Sequence, residues 1–267
     1  MNCLSRGRLG VLVGAALVAL VASTAAAQSV EELKEKSLKA QGGREALMGL
    51  KSIERKGDVA VDGAFGQMEG SIEEVVIPGK KALRALDLAV FVQKDGWNGT
   101  AAWRDGMNGV QDIEGDEAMQ IKQSVMISPL MLIGQEGNEA KKLDDEKVND
   151  VDYYVIEVTA AEKPAIKLYI DKATDLFRRM TLKQNNPQFG EIEVITETSD
   201  YQDFGKVKLP TKQKIELGEV LKIETTFTET KVDGEVDEKI FEKPEEPAAP
   251  AGDAPKDDAP KSEEKSK

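Results

Sequence analysis

The sequence contains no histidine, and its only cysteine is Cys3. Without histidine the chain lacks the side chain that most often serves as general base near neutral pH and as metal ligand. One cysteine near the start leaves neither a disulfide framework nor a thiolate nucleophile for the body of the protein. Aromatic residues are only 5% of the chain, and 36 Lys and Arg against 49 Asp and Glu leave it at −13. A chain so acidic repels nucleic acid and anionic head groups, so no nucleic-acid partner is expected and any lipid contact has to be made by apolar surface. The sequence motifs of catalysis are missing too: no G-x-S-x-G, S-x-x-K, P-loop or G-x-G-x-x-G stands between a strand and a helix. Carboxylate pairs occur everywhere, so none stands out as a glycosidase pair. The acidic stretch "DDEKVNDVD" (144–152) lacks the Gly and terminal Glu of an EF-hand loop and reads as a solvated loop. The expectation is a protein that is not an enzyme and carries no metal or cofactor.

What is present begins with a leader. Arg6 and Arg8 precede an apolar run over 9–21, and the small residues of "ASTAAAQ" follow. This is the pattern of a signal peptide cut after Ala27, and the run is short of the roughly 20 residues a membrane span needs. The mature chain is expected to be a soluble, monomeric periplasmic protein. Without Arg6 and Arg8 its charge falls from −13 to −15. At the other end, residues 244–267 read "PEEPAAPAGDAPKDDAPKSEEKSK", too poor in bulky apolar groups to offset the entropy of ordering, which predicts a disordered tail. Residues 28–243 remain as one domain.

That domain opens with helices. Ser29 and Glu32 form a capping box ahead of "VEELKEKSLKA", Gly42-Gly43 stops the helix, and "REALMGLKS" is a second short one. After Lys51 the apolar period changes to two, with "DGAFG" (62–66) as a hairpin between "SIERKGDVAV" and "GQMEGSIEEVVI". A helical interruption follows, "GDEAMQIKQSVMISPLMLIGQEG". Its Ala118, Met119, Ile121, Val125 and Met126 fall at helical spacing, with Asp116 as cap, Pro129 as breaker and "LMLIG" as an apolar knot. Strands then run from "DYYVIEVTA" to a final "KIFEK", with turn signals every 8–14 residues, the spacing of an antiparallel meander curved into a barrel or half-barrel. Within it, "LYIDKATDLFRRM" (168–180) reads as a hairpin turn rather than an acid–base pair at Asp171 and Asp175, with Arg178 and Arg179 on alternate faces.

The unusual feature is apolar. Trp97 and Trp103 stand at the two ends of one short strand in "GWNGTAAWRDG", and Met107, Met119, Met126 and Met131 gather around the helical interruption. Two readings are open. One is ordinary packing of a helix on a sheet. The other is the wall and lid of a ligand cavity, since methionine adapts to irregular apolar partners. That cavity would be lined by Phe91, Trp97, Trp103, Met119, Val125, Met126, Leu130, Met131, Leu132, Leu168 and Met180.

The strand text resembles a known family. "LYIDKATDLFRRMTL", "SDYQDFGKVKLPTK", a last "IFEKP", the opening "AQGGREAL" (40–47) and "WNGTAAW" are together similar to the LolA/LolB-like outer-membrane lipoprotein-sorting proteins of Gram-negative envelopes, over roughly residues 29–243. The resemblance implies a mainly β fold: a strongly curved antiparallel half-barrel with N-terminal helices as an end plug and a helical lid, residues 116–132, on the concave face. It implies a carrier of lipid or lipoprotein acyl chains, or alternatively an envelope sensor or protein-binding module using the same concavity. The tail from 244 departs from the family pattern.

Overall fold

The computed structural model describes residues 28–64, 66–186 and 190–245. The leader 1–27 and the predicted tail, from residue 246 on, lie outside them. Helix α1, Val30–Ala40, starts at the capping box read from the sequence: the Glu32 amide donates to Ser29 Oγ at 3.2 Å and the Ser29 amide to Glu32 Oε2 at 2.8 Å. Its buried face carries Leu33, Ser37 and Leu38. Gly42 follows at φ +111°, where a Cβ would lie 2.3 Å from the carbonyl oxygen of Lys206, so only glycine fits between α1 and the sheet. Helix α2, Arg44–Met48, is shorter than the sequence suggests, because Gly49 turns the chain into the first strand.

The remainder is one 14-stranded antiparallel sheet, strongly curved and not closed into a barrel. Its first six strands are β1 (Ile53–Gly63), β2 (Gly66–Ile77), β3 (Lys81–Asp87), β4 (Val92–Trp97), β5 (Ala102–Gly106) and β6 (Gly109–Ile113). Helix α3 (Gly115–Gln123) and a 3-10 turn (Pro129–Leu132) interrupt them. There follow β7 (Asn138–Lys142), β8 (Glu146–Val148), β9 (Val151–Ala160), β10 (Ile166–Asp171), β11 (Phe177–Asn186), β12 (Gly190–Phe204), β13 (Val207–Leu217) and β14 (Leu221–Val232). Neighbours in sequence are neighbours in space except that β6 and β7 lie at opposite edges and β7 and β8 both pair with β9; β14 returns to pair with β1, giving the order β6-β5-β4-β3-β2-β1-β14-β13-β12-β11-β10-β9-β7. The two edges are therefore β6 and β7, and the helical interruption is the segment that runs from one edge to the other. That topology makes it a lid.

Three sequence expectations change. The stretch 144–152 is a tight hairpin, β8–β9, whose turn residues Asn149 and Asp150 take φ of 48° and 65° as the favoured two-residue turn demands. Helix α3 is entered from Glu114 with no side-chain cap, and Asp116 sits in its first turn instead. "KIFEK" is a 3-10 turn, Glu238–Phe241, started by Asp237 accepting the Lys239 amide, not a last strand.

The turn at 171–175 is a hairpin element. The Asp171 carboxylate accepts the Ala173 amide at 2.8 Å, its carbonyl accepts the Asp175 amide, and Asp175 pairs with Lys36 of α1 at 2.9 Å. A bulge at Tyr169/Ile170 admits Arg178 as an extra residue. Alternation therefore lapses: Arg179 lies over the Tyr169 ring and pairs with Glu197, and Arg178 lies beside Tyr153 in a shallow groove on the outer face. Nearby, the Tyr201 hydroxyl donates to the Phe177 carbonyl at 2.5 Å, and burial pushes its phenol up to about 12. Between the ordinary value near 10 and about 12 the unfolded chain releases this proton while the fold keeps it, so stability falls as pH rises through that window. Tyr201→Phe should remove about 2 kcal/mol of this alkaline loss, read as the difference between wild-type and variant unfolding at pH 9 and pH 12.

Candidate functional site: an apolar cavity under the lid

Strand alternation and the antiparallel registers decide which side chains face the lid. On β1 to β5 that face carries Ile53, Val76, Ala82, Trp97 and Ala102 in one cross-strand row. On β9, β10 and β11 it carries Ile156, Val158, Leu168, Ile166 and Met180. Helix α1 and the lid residues Val125, Leu130, Leu132 and Ile133 cover these groups to form the main core. The Gly79 amide donates to the Val125 carbonyl at 3.0 Å, tying the lid to the β2–β3 turn.

The packing is incomplete beside the lid. Between α3 and the β9–β10 turn a cavity of about 320 Å³ opens. Its lid side is Met119, Val125, Met126 and Leu132, and its sheet side is Val158, Ala160, Pro164 and Ile166. Lys122, Lys163, Glu136, Gln123, Gln135 and Asn138 supply the polar lining. Met126 also lines a second void of about 50 Å³ against Ile53, Val76 and Leu209, so its flexible side chain is the partition between the two. From Ile166 the apolar floor continues along one ladder row, through Leu182, Val194 and Leu217 to Leu221, all only half-buried. Five strands at about 4.8 Å spacing give this row a length of about 19 Å, comparable to an extended acyl chain.

The sequence-predicted site is partly brought together. Met119, Val125, Met126 and Leu132 line the cavity. Leu168 is its buried neighbour on β10, and Met180 sits opposite Leu168 on β11. Leu130 and Met131 are spent on packing the lid to the core, and Trp97 lies on the lid-facing side with Lys122 Nζ 5.4 Å from its ring. Phe91 does not line the cavity: it packs with Val59, Ile72, Leu88 and Phe227 in a second cluster, which the far end of the row, Leu221, also joins. Met107 is 80% exposed in the β5–β6 turn. Trp103 is on the opposite face. It is 2% exposed, and its Nε1 donates to the Phe241 carbonyl at 2.7 Å under the Glu238–Phe241 turn.

One arrangement escaped the sequence reading. Half-way along the lid-facing side of β1 to β5 runs a row of alternating charge: Arg55, Glu74, Arg84, Asp95 and Arg104. Glu74 holds Arg55 at 2.5 Å and Arg84 at 3.7 Å, and Arg55 lies 4.1 Å from the centre of the Phe227 ring. Asp95 holds Arg104 at 2.6 Å, and Arg104 also reaches Glu117 of α3. Those two carboxylates, Asp95 foremost, raise the Arg104 guanidinium above its ordinary value. The row anchors the start of the lid and bounds the apolar region. Its signal was a charged residue at the apolar parity in five successive strands.

A LolA superfamily protein from Nitrosomonas europaea superposes with a TM-score of 0.56 at 13% identity, covering 81% of this chain and 99% of its own. The fold is LolA-like. A protein domain assigned to outer membrane lipoprotein sorting from Vibrio parahaemolyticus gives 0.55 at 11% identity, covering 80% and 95%. A DUF1329 family protein from Desulfovibrio piger gives 0.57 at 11%, covering 80% and 97%. No family profile and no curated protein matches the chain in sequence, so the likeness is one of LolA-like architecture. In this LolA-like half-barrel no helix among the described residues is long and apolar enough to cross a membrane.

Proposed function

We propose that this protein is a non-catalytic periplasmic carrier that holds acyl chains of a lipid or lipoprotein between its lid and sheet. The observation that carries this reading is the cavity, apolar on its lid and sheet walls, that continues into a half-exposed apolar row. A folded domain gains by burying such a surface, and pockets that take small ligands are usually preformed, concave and largely apolar. At about 0.8 kcal/mol per buried methylene, one C16 chain contributes on the order of 10 kcal/mol before entropic losses. The LolA-like architecture and the signal-peptide pattern of residues 1–27 support the periplasmic assignment. Native mass spectrometry of protein purified from its own cell envelope tests the proposal. A co-purified lipid mass is expected. A lipid-free chain that instead retains a protein partner would replace the carrier by a sensor or protein-binding module.

A further inference from the structure

Lysines on β7, on and just after β10, and in the cavity lining fall into two sets. Lys141, Lys142, Lys167 and Lys172 each sit on a carboxylate, at 2.6–3.1 Å. Lys122 of α3 and Lys163 of the β9–β10 turn make no ion pair among the described residues, yet both line the cavity, from opposite sides. Glu136 is the only carboxylate in that lining, so two ammonium groups face one carboxylate. In a chain of −13 this is a local reversal of sign, and it is the local charge that an incoming head group meets, because screening at physiological salt acts over about 8 Å. Gln123, Gln135 and Asn138 add neutral hydrogen-bonding groups in the same lining. The size is also informative. At about 320 Å³ the cavity is at the bottom of the range for sites that enclose a small ligand, about 300–1,000 Å³. The row from Ile166 to Leu221 extends it beyond β10, while in the neighbouring row of Leu168, Met180, Ile215 and Ile223 the polar Thr196 breaks the apolar surface.

Resting on the acyl-binding reading above, we propose that the preferred ligand is a single-chain amphiphile with an anionic head, the chain lying in the cavity and the head between Lys122 and Lys163. A carboxylate or phosphate accepts charge-assisted hydrogen bonds from both lysines; a neutral glyceride head offers only hydroxyls, which bind more weakly. The multi-chain anchor of a lipoprotein would leave chains outside.

The test is titration calorimetry at pH 8 with three ligands of one oleoyl chain: oleate, lysophosphatidylglycerol and monoolein. Wild type is expected to bind both anionic ligands at least about tenfold more tightly than monoolein, the scale of one lost charged contact. The double variant Lys122→Gln/Lys163→Gln should erase that preference, weakening both anionic ligands by at least about tenfold and monoolein far less, while Lys122→Arg/Lys163→Arg keeps it. Whichever anion binds more tightly assigns carboxylate or phosphate as the head. Equal affinity for monoolein and oleate in wild type overturns the proposal, as does a double variant that weakens all three alike. Failure of wild type to bind any of the three overturns the acyl-binding reading itself.

Discussion

Trp103→Ala is expected to cost about 3–5 kcal/mol of unfolding free energy, as large aromatic truncations in cores do, and to leave acyl binding within about twofold, since distant sites act independently. The indole is buried on the face away from the lid, and its N–H satisfies the Phe241 carbonyl. It also fills the space above Gly96 so closely that a Cβ there would lie 2.2 Å from the ring. Truncation leaves a void and an unpaired carbonyl together. Phe241→Ala, which keeps that carbonyl but removes a fully buried ring beside it, should also cost several kcal/mol and spare binding. Urea unfolding beside ligand titration separates the effects. Loss of binding with stability retained would place Trp103 in the cavity wall after all.

Met126→Asp is expected to do the reverse, weakening acyl binding by at least about a hundredfold. An uncompensated charge against a hydrocarbon chain costs several kcal/mol, and each 1.4 kcal/mol is about tenfold. Met126 is only half-buried and sits on the lid, outside every ladder of the sheet. The strands keep their hydrogen bonds, so the far-ultraviolet spectrum should not change. If the lid were simply core, the substitution would lower the melting temperature and there would be no ligand to lose.

The contrast between these two residues shows what a sequence can and cannot locate. The lid was legible because helical spacing, Pro129 and an apolar knot are local signals, and so were the Ser29 capping box and the Asp171 turn. Faces are legible only while alternation is unbroken. Trp97 and Trp103 are an even number of residues apart and would share a face on one strand. The turn at 98–101, in which the Asn98 side chain accepts the Thr100 and Ala101 amides, divides them between two strands and pairs Trp97 with Ala102, which turns Trp103 outward. The bulge at Arg178 defeats parity in the same way. Short strands with little apolar content, "NEAKK" of β7 and "EKV" of β8, gave no pattern, because they owe their place to pairing with β9. The charged row from Arg55 to Arg104 needs five registers at once, and the cavity needs the β9–β10 turn to meet α3, a contact between segments about forty residues apart. Nothing local to Ala160, Lys163 or Ile166 in the sequence points to α3.

In the carrier reading an acyl chain lies between the lid and β9–β10. Photo-crosslinking with a diazirine-bearing fatty acid, followed by peptide mass spectrometry, tests it most directly. Labels are predicted on Met119, Met126, Leu132, Val158 and Ile166 of the cavity and on Leu182 and Val194 of the row beyond it. Labels confined to the outer face, around Tyr153 and Arg178, or to Val59, Ile72, Leu88 and Phe91, would contradict it.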